Sequence, residues 1–229
     1  MAKAKTSLIF NICIFVFELV ALFWMLFGNG AGVLVGNKWT VFRYFTVDSN
    51  VLMGIAALIM AIQQWLVIRG KKTEIPTWIY VFKMTATAGV TLTILVTVFY
   101  LTPFIYASLG LFALYENSNF LFHLLNPILS IVVLTCFEKT TKMKFFTTFV
   151  TLIPVFLYAI YYVGATTAHI SEGVIENGYD WYGFFVSGVQ YIPVVLFIVG
   201  LIAYGIGVGL WSLNRLHADK KKESVSENE

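Results

Sequence analysis

LIFNICIFVFELVALFWMLF, residues 8–27, decides the fold class. It carries a single ionisable side chain, Glu18, and about 20 helical residues rising 1.5 Å each span the roughly 30 Å hydrocarbon core of a bilayer. Comparable apolar stretches follow at approximately 45–68, 78–103, 119–137, 145–163 and 184–212. In hydrocarbon only helices or closed barrels satisfy their own backbone polar groups, and these runs are continuous instead of alternating, so helices are expected. The reading is an all-α polytopic membrane protein, a compact bundle of six transmembrane helices over residues 1–216. A charged tail over 217–229, ending ADKKKESVSENE, has the composition of a solvated, disordered segment.

Composition points the same way. Hydrophobic residues make up 59% of the 229 and charged residues 12%, with a mean hydropathy of +0.82, against about 25% charged in an ordinary soluble domain. Lys3 and Lys5 before the first run resemble the start of a signal peptide. The run is longer than the usual core of such a peptide and no small-residue cleavage site follows, so it is read as a membrane helix. The net charge of +3 gives no reason to expect nucleic acid as a partner; the partners expected are membrane lipids. Cys13 and Cys136 lie inside apolar runs, and His123, His169 and His217 are scattered over span, loop and tail, so neither a disulfide framework nor a metal site is implied, nor any cofactor.

The distribution of charge predicts orientation. Twelve basic residues flank the spans on one side: Lys3, Lys5, Arg69, Lys71, Lys72, Lys139, Lys142, Lys144, Arg215 and Lys220 to Lys222. The other side has only Lys38 and Arg43, and it carries Glu116, Glu172, Glu176 and Asp180. Lysine and arginine accumulate in the cytoplasm, so both termini are expected inside, in agreement with an even number of spans. Trp39, Tyr44, Tyr115, Tyr179, Trp181 and Tyr182 cluster at the opposite, outer ends, as interfacial anchors do.

Ionisable groups inside spans are costly and mark candidate sites. Glu18 sits mid-span and is expected to face the bundle interior. Lys83 lies near the inner surface, where its stem can snorkel outward. The second span opens with FRYFTVDSNVLMG; on a helix Arg43, Thr46, Ser49, Asn50 and Met53 share one polar face, and Asp48 points elsewhere. The fourth opens with NSNFLFHLLNPILS, where Ser118 or Asn119 can cap the helix and His123, Asn126 and Pro127 share a face. Pro127 has no N–H, so the carbonyl of His123, four residues back, is expected to lose its helical partner. Both spans run from outside to inside, which puts Thr46 and His123 at similar depth. A neutral histidine can take the proton of a hydroxyl within reach, and Asn50, Asn126 or Arg43 could steady a developing oxyanion. The bland reading is that these hydroxyls bond their own backbone and Asn50 joins two helices.

At FRYFTVDSN and FLFHLLNP, and through VTLIPVFLYAIYYV and NGYDWYGF, the chain resembles the six-span androgen-induced and androgen-dependent family of membrane hydrolases and its bacterial branch, over about residues 40 to 200. That resemblance implies a threonine hydrolase of lipid esters such as fatty acid esters of hydroxy fatty acids, or an acyltransferase, with Thr46 as nucleophile and His123 as general base. It also implies a bacterial cell membrane. The DSN after Thr46 and the DWYGF loop look like bacterial features, which leaves the lipid open. Asp180 is the acidic residue to test for orienting His123, while His169 is expected to be solvated and His217 cytoplasmic. The alternative is a non-enzymatic small transporter or lipid-binding protein using Glu18, Asp48 and His123 as a polar path, although neither paired repeats nor paired broken helices are evident. An intramembrane peptidase would want a similar dyad.

Overall fold

The computed structural model describes residues 2–28, 38–104 and 110–226. Six helices in it are long and apolar enough to cross a membrane. α1 is Ala2–Phe27 and α2 is Phe45–Ile68. α3 occupies Thr77–Phe104, α4 Ser118–Phe137 and α5 Phe145–Ala168, and α6 runs Ile192–Ser226. α6 therefore continues into the charged tail; residues 227–229, like parts of the loops after α1 and α3, lie outside the described residues. A two-stranded antiparallel hairpin, β1 Ile170–Ser171 and β2 Val174–Ile175, sits between α5 and α6.

α3 is the central helix, with 56% of its most apolar window buried against 11% for α6. α2 and α4 pack on one side of α3, with α1 behind them against both, and α5 and α6 cover the other while exposing large apolar side chains such as Phe156, Ile160, Phe197 and Leu201. Exposed apolar residues of that size on a helical surface are what a lipid-facing wall requires.

Between helices in lipid no hydrophobic effect drives association, so close backbone approach and small residues do the work. Gly89 of α3 admits Ser49, whose Cβ would stand 3.2 Å from any methyl placed there. Gly54 of α2 admits Glu18, whose Cβ would stand 3.1 Å away. These two glycines let polar side chains enter the α1–α2–α3 interface.

Two of the helices contain π turns, three in all: Thr97–Leu101 in α3, and Leu121–Leu125 and Val133–Phe137 in α4. Two of them share a cause visible in the sequence. Thr102 N–H reaches back five residues to Thr97, and Asn126 N–H to Leu121, and each is followed directly by a proline, Pro103 or Pro127. A residue without an N–H cannot continue the ladder, and the widened turn accommodates the ring. The break in the helical ladder expected at Pro127 takes the form of a π turn. Neither Ser118 nor Asn119 caps α4; both are buried inside its first turn, and the capping position belongs to Asn117, which stands at φ 54° with no side-chain cap.

The loops bearing Arg69, Lys71 and Lys72, and Lys139, Lys142 and Lys144, lie at one end of the bundle, here the basic end, where Lys142 pairs with Glu74. The opposite end is aromatic, with Tyr158, Tyr162, Trp181, Tyr182, Phe184 and Phe185 in mutual ring contact.

Packing between α5 and α6 has its own close point. A methyl on Gly207 would meet Thr151 Oγ1 at 2.3 Å, whereas one on Gly205 would meet nothing within 4 Å. Gly207→Ala is expected to lower stability by about 1–3 kcal/mol through overpacking, with Gly205→Ala neutral or stabilising, as read by thermal unfolding of the detergent-solubilised protein.

Candidate functional site

Thr46 lies in the first turn of α2 at the aromatic end, 5% exposed. It forms part of the wall of an apolar chamber enclosed by α2, α3, α5 and α6 and roofed by Tyr182, Phe184 and Phe185. Its cavity volume is about 70 Å³. Its sides are Leu92, Val96, Val155, Ala159, Val195 and Val199, and among the described residues the polar side chains around it are all hydroxyls: Thr46, Thr93, Thr97 and the tyrosines. Val155, Ala159, Leu196 and Val199 also line a groove between α5 and α6 that carries Phe156, Ile160 and Phe197 on the exposed surface. These four side chains form the wall between the chamber and the exposed face of α5 and α6.

Tyr182 organises the Thr46 end of the chamber. Its hydroxyl oxygen accepts from the Phe45 N–H at 2.8 Å, and the Thr46 side chain bonds the same oxygen. This phenol takes the place of the side-chain cap that α2 lacks at Tyr44. Burial pushes the Tyr182 phenol up to about 12 against these bonds, which favour the ionised form.

His123 lies in the π turn of α4 and is 2% exposed. Its Nδ1 is 2.6 Å from the Leu114 carbonyl oxygen. A carbonyl only accepts, so Nδ1 carries the hydrogen and Nε2 keeps the lone pair, the tautomer a general base needs. The orienting group is thus a backbone carbonyl and not Asp180. Asp180 instead accepts from the Tyr162 hydroxyl and from the Phe184 and Phe185 N–H groups, at 3.1 and 2.9 Å for the amides, and so shapes the chamber roof.

Asn50 brings the two candidate residues onto adjoining helix ends. Its Nδ2 donates to the carbonyl of Thr46 at 2.7 Å and to that of Phe122, the neighbour of His123, at 3.2 Å. The acceptor freed by Pro127 is accordingly the Phe122 carbonyl, one residue earlier than helical spacing suggests, because the π turn shifts the ladder by one. No hydrogen bond between the Thr46 and His123 side chains is present among the described residues. His123 lies on the α4 side of Thr46 and the chamber on the α3 side.

The remaining expected residues divide. Ser49 is buried, bonding the Thr46 carbonyl at 3.2 Å and the Thr93 hydroxyl at 3.0 Å. Asn126 donates to Glu18 at 2.9 Å, so that pair forms its own contact deeper in the bundle. Arg43 belongs to a 3-10 turn, Lys38–Arg43, ahead of α2, so the polar face does not extend to it. Its guanidinium bonds the Tyr44 hydroxyl at 2.6 Å and lies over the Tyr44 and Trp181 rings. Asp48 faces a separate cleft beside Pro154, Leu157 and Tyr161. With the two Asn50 hydrogens on carbonyls, Asn126 on Glu18 and Arg43 on aromatic rings, none of the three expected oxyanion donors points into the chamber. His169 is half-buried, not solvated: Nδ1 is 2.9 Å from the Ala165 carbonyl and its ring stacks on Tyr179.

Two features were not read from the sequence. Thr97 Oγ1, in the α3 wall of the chamber, is buried without a hydrogen-bond partner among the described residues; its spacing of four from Thr93 places both on one face of α3 and was the available signal. The second is a polar cluster toward the basic end. Lys83 is fully buried, correcting the expectation that it snorkels, and donates to Asn11 Oδ1 at 2.7 Å. Asn11, Ser7 and Gln64 in turn converge on Glu138, which is 3% exposed and lies just past α4. Glu138 follows an apolar run and precedes Lys139, so its position looks like an ordinary surface flank.

The sequence matches no known protein family, and neither characterised proteins nor solved structures give a significant match.

Tyr182→Phe removes the partner of a buried N–H at the start of α2 and is expected to cost about 1–3 kcal/mol in thermal or denaturant unfolding. An unfolded phenol ionises near pH 10. Because the folded Tyr182 holds its proton to about 12, its contribution to stability is complete below pH 10 and declines as pH rises from there toward 12; the Tyr182→Phe protein should lack that alkaline decline.

Proposed function

We propose that the protein is an intramembrane threonine hydrolase or acyltransferase of lipid esters, with Thr46 as nucleophile and His123 as general base. The observation that carries this reading is the placement of a threonine hydroxyl in the wall of an apolar chamber separated from lipid by the side chains of α5 and α6, with Asn50 joining its helix to the turn of a histidine whose Nδ1 bonds a carbonyl and whose Nε2 keeps the lone pair. An acyl chain fits such a chamber, since it offers apolar walls and only hydroxyls for polar contact. The resemblance at FRYFTVDSN and FLFHLLNP supports the same two residues and the same class of substrate.

In this reading a fatty-acyl ester enters between α5 and α6 and its carbonyl comes to Thr46. A turn of the Thr46 side chain between staggered wells carries its hydroxyl from Tyr182 toward His123 Nε2. Oγ1 attacks the carbonyl carbon as its proton passes to Nε2. The tetrahedral oxyanion takes a hydrogen bond from the Thr97 hydroxyl, which has no other partner, and the alkoxide leaves with the proton from His123. Water, or a second lipid hydroxyl, then attacks the acyl-threonine with His123 again as base. The basic end faces the cytoplasm, with both termini inside, and the chamber lies in the outer leaflet of a bacterial cell membrane.

The detergent-purified protein is expected to react covalently with a lipid-like fluorophosphonate at Thr46, identified by peptide mass spectrometry. Thr46→Ala and His123→Ala should each abolish labelling while leaving the thermal transition in place. Thr97→Val should retain the label and lower ester turnover by about 10²–10³, the effect of losing one oxyanion donor. Labelling that survives Thr46→Ala and His123→Ala would overturn the assignment.

A further inference from the structure

A lysine with no exposed surface inside a membrane helix bundle demands a charge account. Lys83 of α3 has two carboxylates in electrostatic range, Glu18 of α1 and Glu138 beyond α4, and neither is in an ion pair with it among the described residues. Its contacts are Asn11 Oδ1 at 2.7 Å and Met53 Sδ at 3.4 Å. All three charged groups are at most 4% exposed. Fully ionised, the set would bury one net negative charge, which is expensive in a medium that solvates ions poorly. One added proton makes it neutral.

The hydrogen bonds say where that proton belongs. Glu138 Oε1 receives three donors, Ser7 Oγ at 3.0 Å, Asn11 Nδ2 at 2.5 Å and Gln64 Nε2 at 3.2 Å, a setting suited to an acceptor-only carboxylate. Glu18 receives one, Asn126 Nδ2 at 2.9 Å on Oε1, and its Oε2 is buried with no partner. Glu138 Oε2 is likewise buried and unpartnered, so each acid keeps one oxygen open to a proton. A metal cation would have to sit near the Lys83 ammonium, which repels it; a proton does not face that obstacle.

We propose that Glu18, Lys83 and Glu138 form an intramembrane proton-binding relay, loaded from the basic end and holding one proton on Glu18. Water at the basic end protonates Glu138. Lys83 Nζ and Glu18 Oε2 share no hydrogen bond at rest, so the ammonium leaves Asn11 Oδ1 to give a proton to Glu18 Oε2, breaking an N–H bond and forming an O–H bond, and the amine then recovers a proton from the Glu138 carboxyl. The net change is one proton from water to Glu18. The other groups facing the triad are Tyr80 of α3, which feels the Glu138 charge, Lys139 next in the chain, and uncharged Gln64 and Met53 from α2, Ser7 from α1 and Asn214 from α6 on the Glu138 backbone carbonyl. This relay does not rest on the chemistry assigned to Thr46.

Infrared spectroscopy of the full-length protein in lipid nanodiscs tests it, because a protonated carboxyl has a C=O stretching band that a carboxylate lacks. At neutral pH the wild-type protein should show a band with the intensity of one buried carboxyl, shifting in heavy water. Glu18→Gln should remove it. Glu138→Gln should also remove it, since Glu18 is then the only acid left to balance Lys83, and Lys83→Met should double it by leaving both acids without a cation. The position of the amide band checks that each variant is folded. Absence of the band in the wild type, its survival in Glu18→Gln, or its persistence unchanged in folded Glu138→Gln would overturn the relay. The last outcome would mean that burial alone protonates Glu18.

Discussion

The amide of Asn50 is the contact on which the candidate site depends. A bilayer supplies no water to a carbonyl left open inside a bundle, and Pro127 leaves one open on α4 at Phe122. The Asn50 Nδ2 fills it and at the same time takes the Thr46 carbonyl of its own helix. One side chain thereby satisfies two carbonyls and fixes the start of α2 against the π turn that carries His123. An apolar residue at position 50 would leave a buried acceptor unmet, and the two helix ends would lose their common anchor.

The same constraint explains why the polar residues form layers and are not scattered. At the aromatic end hydroxyls and ring systems surround an apolar chamber, with Asp180 held by Tyr162 and two backbone amides. Mid-bundle, Glu18 enters over Gly54 and meets Asn126. Toward the basic end, Lys83 and Glu138 are joined through Asn11. Most of these residues come from α1, α2, α3 and α4, joined by Tyr162 of α5 and Asn214 of α6, while α5 and α6 otherwise give mainly apolar side chains to the chamber and to lipid. The bundle thus has a polar interior half and an apolar flank, and Thr46 stands at their boundary.

Some expectations survived only in altered form because helical spacing was applied where the backbone is not α-helical. Counting four residues back from Pro127 gives His123, but the π turn makes the count five and frees Phe122. Extending the face of Thr46, Ser49 and Asn50 upward by threes and fours gives Arg43, but α2 begins at Phe45 and Arg43 belongs to a 3-10 turn. Lys83 was placed at the surface by its distance from the helix start, although its partner Asn11 comes from a helix 72 residues earlier.

What the chain by itself determined is the set of six membrane-length helices, the segregation of basic residues to one end, and the short list of ionisable groups within the spans, because length, hydropathy and charge are local properties. Tertiary structure alone decided which polar groups meet. The Leu114 carbonyl selects the His123 tautomer, Tyr182 caps α2, Thr97 is left with a free hydroxyl in the chamber wall, and Glu138 folds inward to the Asn11 amide. Each of these is a contact between residues whose separation along the chain carries no periodic signal, and in hydrocarbon the need to pair every polar atom selects among them.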